Sequence, residues 1–153
     1  MTFAEISNKM KRLWVIFFVL PLFSQDAKKH NISIGMWDDK TGFSFIAYTY
    51  NIKQTEIDEF FIGAGTMILG YTGSFGWKHY YYKSKLSIYS VLSGQRVDNF
   101  LFVGFMPTGS ISFEYKLFKK TQVKMGLMAL EVGRRDSEAF SELFPFIGLN
   151  WNY

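Results

Sequence analysis

Cysteine is absent from the 153 residues of this chain, proline occurs only 3 times and histidine twice. Without cysteine there are no disulfides and no thiolate metal sites. Long apolar runs are missing as well. A membrane helix needs about 20 such residues, and the longest run, Leu13 to Phe23, has 11. Charge of one sign is not in large excess, at 17 Lys and Arg against 13 Asp and Glu. The basic residues do not gather on one element with interleaved aromatics, so nucleic acid is not an expected partner.

Aromatics are what the chain has in quantity: they form 20% of it, with 17 Phe, 9 Tyr and 4 Trp. Mean hydropathy is nevertheless only +0.02. Apolar residues must therefore alternate with polar ones, as in half-exposed strands. The closing residues show this directly. Ile147, Leu149, Trp151 and Tyr153 alternate with Gly148, Asn150 and Asn152, one face apolar and the other small or polar.

Lys9, Lys11 and Arg12 precede the apolar run, and Ser24-Gln25-Asp26 follows it. A basic start, a short apolar core and a polar exit predict a secretory signal peptide over 1–24. An uncleaved anchor or a buried strand is the alternative. The domain is then 25–153, exported to the periplasm or outer membrane of a didermic bacterium.

The turn signals divide this domain into Ile32–Trp37, Phe43–Tyr50, Phe60–Tyr71, Phe75–Leu92, Asn99–Met106, Ser110–Phe118, Thr121–Val132 and Leu143–Tyr153. Between the second and third, Asn51–Glu59 reads as a long polar connection; Thr72-Gly73-Ser74 and Pro107-Thr108-Gly109 read as turns and Ser93–Asp98 as a loop. Lys83-Ser84-Lys85 lacks Gly, Pro, Asn and Asp, so the fourth strand is read straight through it, in preference to nine strands. Tyr80, Tyr82, Leu86, Ile88 and Leu92 would then share one face, and His79, Lys83, Lys85 and Ser87 the other. Eight strands place both termini on one side. About 16 residues are available per strand and connection, where a tilted spanning strand needs about 9–11.

A membrane barrel and a lipocalin-like soluble barrel share this alternation and differ in which face points out. In Ser110–Phe118, Ile111, Phe113, Tyr115 and Leu117 oppose Ser112, Glu114 and Lys116. Most polar faces carry Gly, Ser, Asn and Thr with few charges. Small residues suit a narrow lumen better than a solvated exterior. Trp37, Tyr48, Tyr50, Tyr71, Trp77, Tyr80–Tyr82, Trp151 and Tyr153 stand near strand ends, where a membrane interface favours amphipathic rings. The predicted fold is thus all-β: a closed antiparallel up-and-down transmembrane barrel whose last strand pairs with its first.

Several residues carry candidate chemistry. His79 is a weak candidate general base, with Ser74, Ser84 and Ser87 nearby in sequence; a satisfied rim histidine is the plainer reading. Glu114, Lys116 and Lys124 form a candidate lumen network. If the Lys119-Lys120 turn keeps faces matched, Lys116 opposes Lys124, with Glu114 diagonal. Arg134 and Arg135 are candidates for bidentate contact with lipopolysaccharide phosphate. Asp38 and Asp39 resemble a cation site weakly, and a β-turn uses such residues for backbone bonding in any case. Gly63-Ala64-Gly65 lies inside a strand and is not a phosphate loop. No cofactor is expected.

The export signal, strand count, alternation and terminal aromatic together resemble the small eight-stranded outer-membrane β-barrel proteins of bacteria. That resemblance implies that Ile147, Leu149, Trp151 and Tyr153 form the signal read by the barrel-assembly machinery. It also implies lipid and lipopolysaccharide as surroundings, a monomer, and a structural, interaction or narrow-pore role. The alternatives are an outer-membrane lipid-modifying enzyme using His79 and a soluble periplasmic ligand-binding barrel.

Overall fold

Eight antiparallel strands follow one another around a closed barrel: β1 (His30–Met36), β2 (Ile46–Gln54), β3 (Asp58–Met67), β4 (Gly70–Tyr82), β5 (Leu86–Asn99), β6 (Val103–Lys116), β7 (Thr121–Val132) and β8 (Phe140–Asn152). The computed structural model describes residues 29–67, 70–99, 103–132 and 140–152, among which there is no helix. The expected signal segment 1–24, Arg134, Arg135 and Tyr153 lie outside the described residues.

Closure satisfies the edges. The β1–β8 seam runs from Asn31 opposite Asn152 to Met36 opposite Ile147. Two edge rows of N–H and C=O groups thereby become a ladder. Gly35 and Gly148 face each other in this seam. A Cβ on Gly35 would lie 2.4 Å from the Ile147 carbonyl oxygen and 2.5 Å from the Gly148 Cα. Both are backbone atoms that cannot swing aside.

Strand faces follow the alternation. Ile111, Phe113, Tyr115, Ile147 and Leu149 are exposed on the outer surface, while Ser110, Ser112, Glu114, Gly148 and Asn150 face the lumen. Outward charges stand near the rims: Lys53 and Asp58 at the rim that also carries both ends of the barrel (the terminal rim), Arg96 and Asp98 near the far rim. Between them, no Asp, Glu, Lys or Arg of the described strands points outward.

The expected count of eight holds, but the internal boundaries move, and Ser93–Asp98, expected as a loop, lies within β5. Lys83-Ser84-Lys85 is the β4–β5 turn. Ser87 Oγ accepts from the Ser84 N–H (3.3 Å) and donates to the Ser84 carbonyl (3.2 Å), so a serine does the local bonding usually sought from Asn or Asp. With a register shift at Tyr80/Tyr82, the expected shared faces fail: Tyr80 and Ser87 point inward, His79 and Leu86 outward. Thr72-Gly73-Ser74 and Pro107-Thr108-Gly109, read as turns, lie within β4 and β6. Pro107 is tolerated there because the β6–β7 ladder begins only at Thr108. Asn51–Glu59 is no long connection: β2 and β3 extend into it, leaving 55–57 between them. The turn is closed by Thr55 N–H to the Asp58 carbonyl (2.8 Å) and by Thr55 Oγ1, which accepts from the Asp58 N–H (2.9 Å).

Gly35→Val should therefore open the seam, lowering stability by about 1–3 kcal/mol or more as overpacking against backbone does. Gly73→Val, where an added Cβ meets nothing within 4 Å, should leave it nearly unchanged. Denaturant midpoints of the two variants in detergent micelles check the contrast.

Candidate functional site: a charged plug inside the barrel

The connection between β1 and β2 does not project from the far rim. Asp38, Asp39, Lys40, Thr41 and Ser44 are all buried, with Thr41 0% exposed. The chain leaves β1 through Trp37, whose φ of 67° lies in the left-handed region, an uncommon conformation for a bulky residue. Asp38 and Gly42 then bridge each other, N–H to carbonyl at 2.8 and 2.5 Å. Gly42 takes a φ of 65°, which glycine adopts without steric cost. Asp38 Oδ1 caps the turn, accepting from the Lys40 N–H (3.0 Å), the Thr41 N–H (2.9 Å) and Thr41 Oγ1 (3.0 Å). Local bonding of this kind is what the turn reading of Asp38 anticipated.

What the sequence did not disclose is where this turn sits. Its three charges meet partners on the barrel wall. The ammonium of Lys124, from β7, lies between the carboxylates of Asp38 and Asp39 and bonds both, at 2.6 Å to Asp39 Oδ1. Asp39 also accepts from the Tyr89 hydroxyl of β5 (2.8 Å), and Asp38 from Ser33 Oγ of β1 (2.5 Å). Lys40 Nζ reaches Glu59 of β3 (3.1 Å) and Asn51 of β2 (3.3 Å). Burial alone would raise the Asp38 carboxyl's pKa. The Lys124 charge and hydrogen bond, with those from Ser33 and Thr41, more than reverse this and hold it well below the usual carboxylate range.

A second pair lies deeper. Lys78 Nζ of β4 donates to Glu114 Oε2 of β6 at 2.7 Å, with both side chains less than 5% exposed. Lys78 also sits 3.7 Å from the centroid of the Tyr89 ring and 4.5 Å from that of Tyr80, so the cation faces two π-surfaces as well as a carboxylate. Tyr80 OH donates to Glu59 (3.0 Å). At the far rim, Trp37, Phe43 and Phe144 pack over inward-facing Met128, Leu130 and Phe146.

Of the expected network, Glu114 and Lys124 both occupy the lumen. The β6–β7 register pairs them directly, however, and places Lys116 opposite Gln122. Their ionic partners are elsewhere: Lys78 for Glu114, and Asp38 with Asp39 for Lys124. Lys116 is only half-buried. The essential partners escaped the sequence reading because a charged turn ordinarily signals solvent, and only tertiary placement shows otherwise.

His79 points outward near the terminal rim. Asp58 Oδ1 lies 2.8 Å from its Nδ1 and also accepts from Trp77 Nε1 at 2.7 Å. None of the serines expected beside it serves. Ser74 and Ser87 face the lumen and Ser84 is in a turn. The register instead aligns Asp58, His79 and Ser90 in one row across β3, β4 and β5. Among the described residues no group of three or more His, Cys, Asp or Glu could hold a metal. No family model, curated protein or solved structure matches the chain.

Lys124→Ala strands two buried carboxylates and should cost about 3–5 kcal/mol, the usual penalty for breaking a buried pair by removing one partner. Lys116→Ala should stay within about 0.5 kcal/mol, as a surface substitution does. Equilibrium unfolding in detergent distinguishes them.

Proposed function

We propose that this chain is a bacterial outer-membrane protein: a membrane-spanning barrel with a filled lumen and a structural or interaction role. The observation that carries this reading is the partition of side chains. The outer surface between the rims is apolar, while every charge network described above lies inside or at a rim. A soluble barrel would require the reverse arrangement. A lipid-exposed surface requires this one, and only a closed ladder satisfies its backbone in hydrocarbon.

Two further features support it. Outward Tyr48, Tyr50, Trp77, Tyr81, Tyr115 and Trp151 stand toward the terminal rim, as expected of rings anchored at a lipid–water interface. An open groove of about 630 Å³ on the outer face is lined largely by apolar side chains, among them Phe60, Ile62, Phe75, Trp77, Leu92 and Phe105. On this reading, 1–24 is a cleaved export signal, and Ile147, Leu149, Trp151 and Tyr153 address the assembly machinery. The terminal rim faces the periplasm. Lipid surrounds the monomer, and Arg134 and Arg135 contact lipopolysaccharide from the 133–139 connection.

Folded protein should migrate differently before and after boiling on a detergent gel and should remain with lipid vesicles on flotation. Ile111→Lys, placed mid-height on the outer face, should cost about 2–4 kcal/mol of stability in the bilayer and reduce insertion. Release of the protein by osmotic shock, or an indifferent Ile111→Lys, would count for a soluble barrel.

A second reading, a lipid-ester hydrolase or acyltransferase, is kept by the Asp58–His79–Ser90 row. Asp58 fixes the His79 ring as a base's orienting partner does, and Ser90 is His79's neighbour on the lipid-facing side. Against it, the Ser90 hydroxyl pairs with Tyr81 OH at 3.1 Å. Hydrolysis of phospholipid esters by the wild type, lost in both His79→Asn and Ser90→Ala, would establish it. Identical lipid profiles for all three would remove it.

A further inference from the structure

We infer that the β1–β2 connection is a displaceable plug, and that its withdrawal toward the far rim opens a narrow path for small ions through the barrel. The inference rests on the membrane-spanning reading above.

The plug is self-contained. Backbone bonds of 38–44 stay within it: Asp38 N–H to Gly42 O, Gly42 N–H to Asp38 O and Ser44 N–H to Gly42 O (2.7 Å). Backbone bonds to the wall are made at its stem, Gly35 N–H to Phe45 O and Phe45 N–H to Thr66 O (both 3.0 Å). Side chains alone hold its tip: Lys124 and Tyr89 on the aspartates, Asn51 and Glu59 on Lys40. A unit bonded internally by backbone and externally by side chains can leave without breaking the barrel ladder. Trp37, in its uncommon conformation, marks one pivot.

The wall is shaped for an occupant that is not part of it. A Cβ on Gly65 would lie 2.5 Å from Ser44 Cβ, and one on Gly63 would crowd Thr49 and Ser74 of the wall (2.7 and 2.9 Å) as well as Thr41 Cγ2 of the plug (3.0 Å). No wall side chain at these positions would fill the space the plug vacates. The fit is also incomplete in polar terms. Within the protein, buried Thr72 Oγ1, Ser74 Oγ, Ser110 Oγ, Ser112 Oγ and Gln95 Oε1 have no hydrogen-bond partner, so the lumen wall keeps polar sites of the kind that water serves.

The charges left behind line the path. With Asp38, Asp39 and Lys40 withdrawn, the inward-facing strand positions carry Lys78, Lys116 and Lys124 against Glu59, Glu114 and, toward the far rim, Glu142. Lys78 remains paired with Glu114, whereas Lys124 loses both its carboxylates and Glu59 loses Lys40. The opened path is therefore polar and lined by charges of both signs, as passage of small hydrated ions requires.

The test uses the full chain folded in planar bilayers under a potassium chloride gradient. Wild type should be closed nearly all the time. Asp38→Ala/Asp39→Ala should raise open probability at least 10-fold. Adding Thr41→Cys and Gly63→Cys, in a chain with no other cysteine, should silence the current when oxidised and restore it on reduction. Should that pair disturb folding, Thr41→Cys alone serves. An impermeant maleimide should label it at least 10-fold faster in the aspartate variant than in the otherwise wild-type chain. Heat-modifiable protein that floats with vesicles yet carries no current, a current indifferent to the cross-link, or equal labelling rates each overturns the plug proposal. Protein that neither shifts on boiling nor floats overturns the membrane reading instead, and the plug proposal with it.

Discussion

The lumen is organised around one ammonium group. Lys124 lies between two carboxylates that belong to a turn 85 and 86 residues earlier in the chain, and the three charges have little water to share. Buried charges persist only when paired and hydrogen-bonded. The remaining lumen polar groups follow from that demand. Tyr89 completes Asp39, Ser33 completes Asp38, and Lys40, drawn in by the same turn, requires Glu59 and Asn51. Tyr80 and Tyr89 are doubly used, as donors to carboxylates and as ring faces beside Lys78. The interior is thus a chain of complementary groups crossing from β7 through the plug to β3, with Lys78–Glu114 spanning the wall from β4 to β6.

The outer surface obeys the opposite rule, and the barrel ladder separates the two. Each strand must present one residue type inward and another outward without interruption, so a one-residue slip would expose charge outside and bury apolar groups inside. Where the chain shifts register, at Asn51/Lys53 and Tyr80/Tyr82, it does so near the terminal rim, beyond the apolar zone. Mid-barrel alternation stays intact. Aromatic enrichment with near-zero mean hydropathy is the compositional trace of this division.

That division was legible from the sequence; the contents of the lumen were not. Period-two alternation in Ser110–Phe118 and in the closing residues gave the faces, and even parity with a terminal strand anticipated the β1–β8 seam. Errors arose where local chemistry is ambiguous. Ser84 and Ser87 build a turn without Gly, Pro, Asn or Asp, so one strand was read where there are two. Pro107 and Gly109 look like a turn but stand at the free end of one ladder. These errors compensated, and the count stayed at eight. The lumen was misread for a deeper reason. Inward Gly63 and Gly65 read as simple close packing in the barrel wall. They instead accommodate a second piece of chain. Alternation along a strand reports which face is polar, and it carries no information about what that face meets. The Lys124 pairing joins two elements across most of the sequence, a contact that only closure creates.

Filling a lumen with a loop differs physically from filling it with wall side chains. Wall residues are fixed by the ladder, so a lumen packed by them can change only if strands move. A loop adds its own backbone freedom and is held by contacts whose strength depends on solvation. The ion pairs here are strong because they are dry; once water reaches them, each weakens, and the loss of one exposes the next. Lys124 holds two carboxylates at once, so its release from either raises the cost of staying buried with the other. A barrel arranged this way couples the position of nine residues, 37–45, to the hydration of its whole interior. The aromatic contact of Trp37 and Phe43 with Phe144 stands at the far rim, the end of the barrel from which the plug enters.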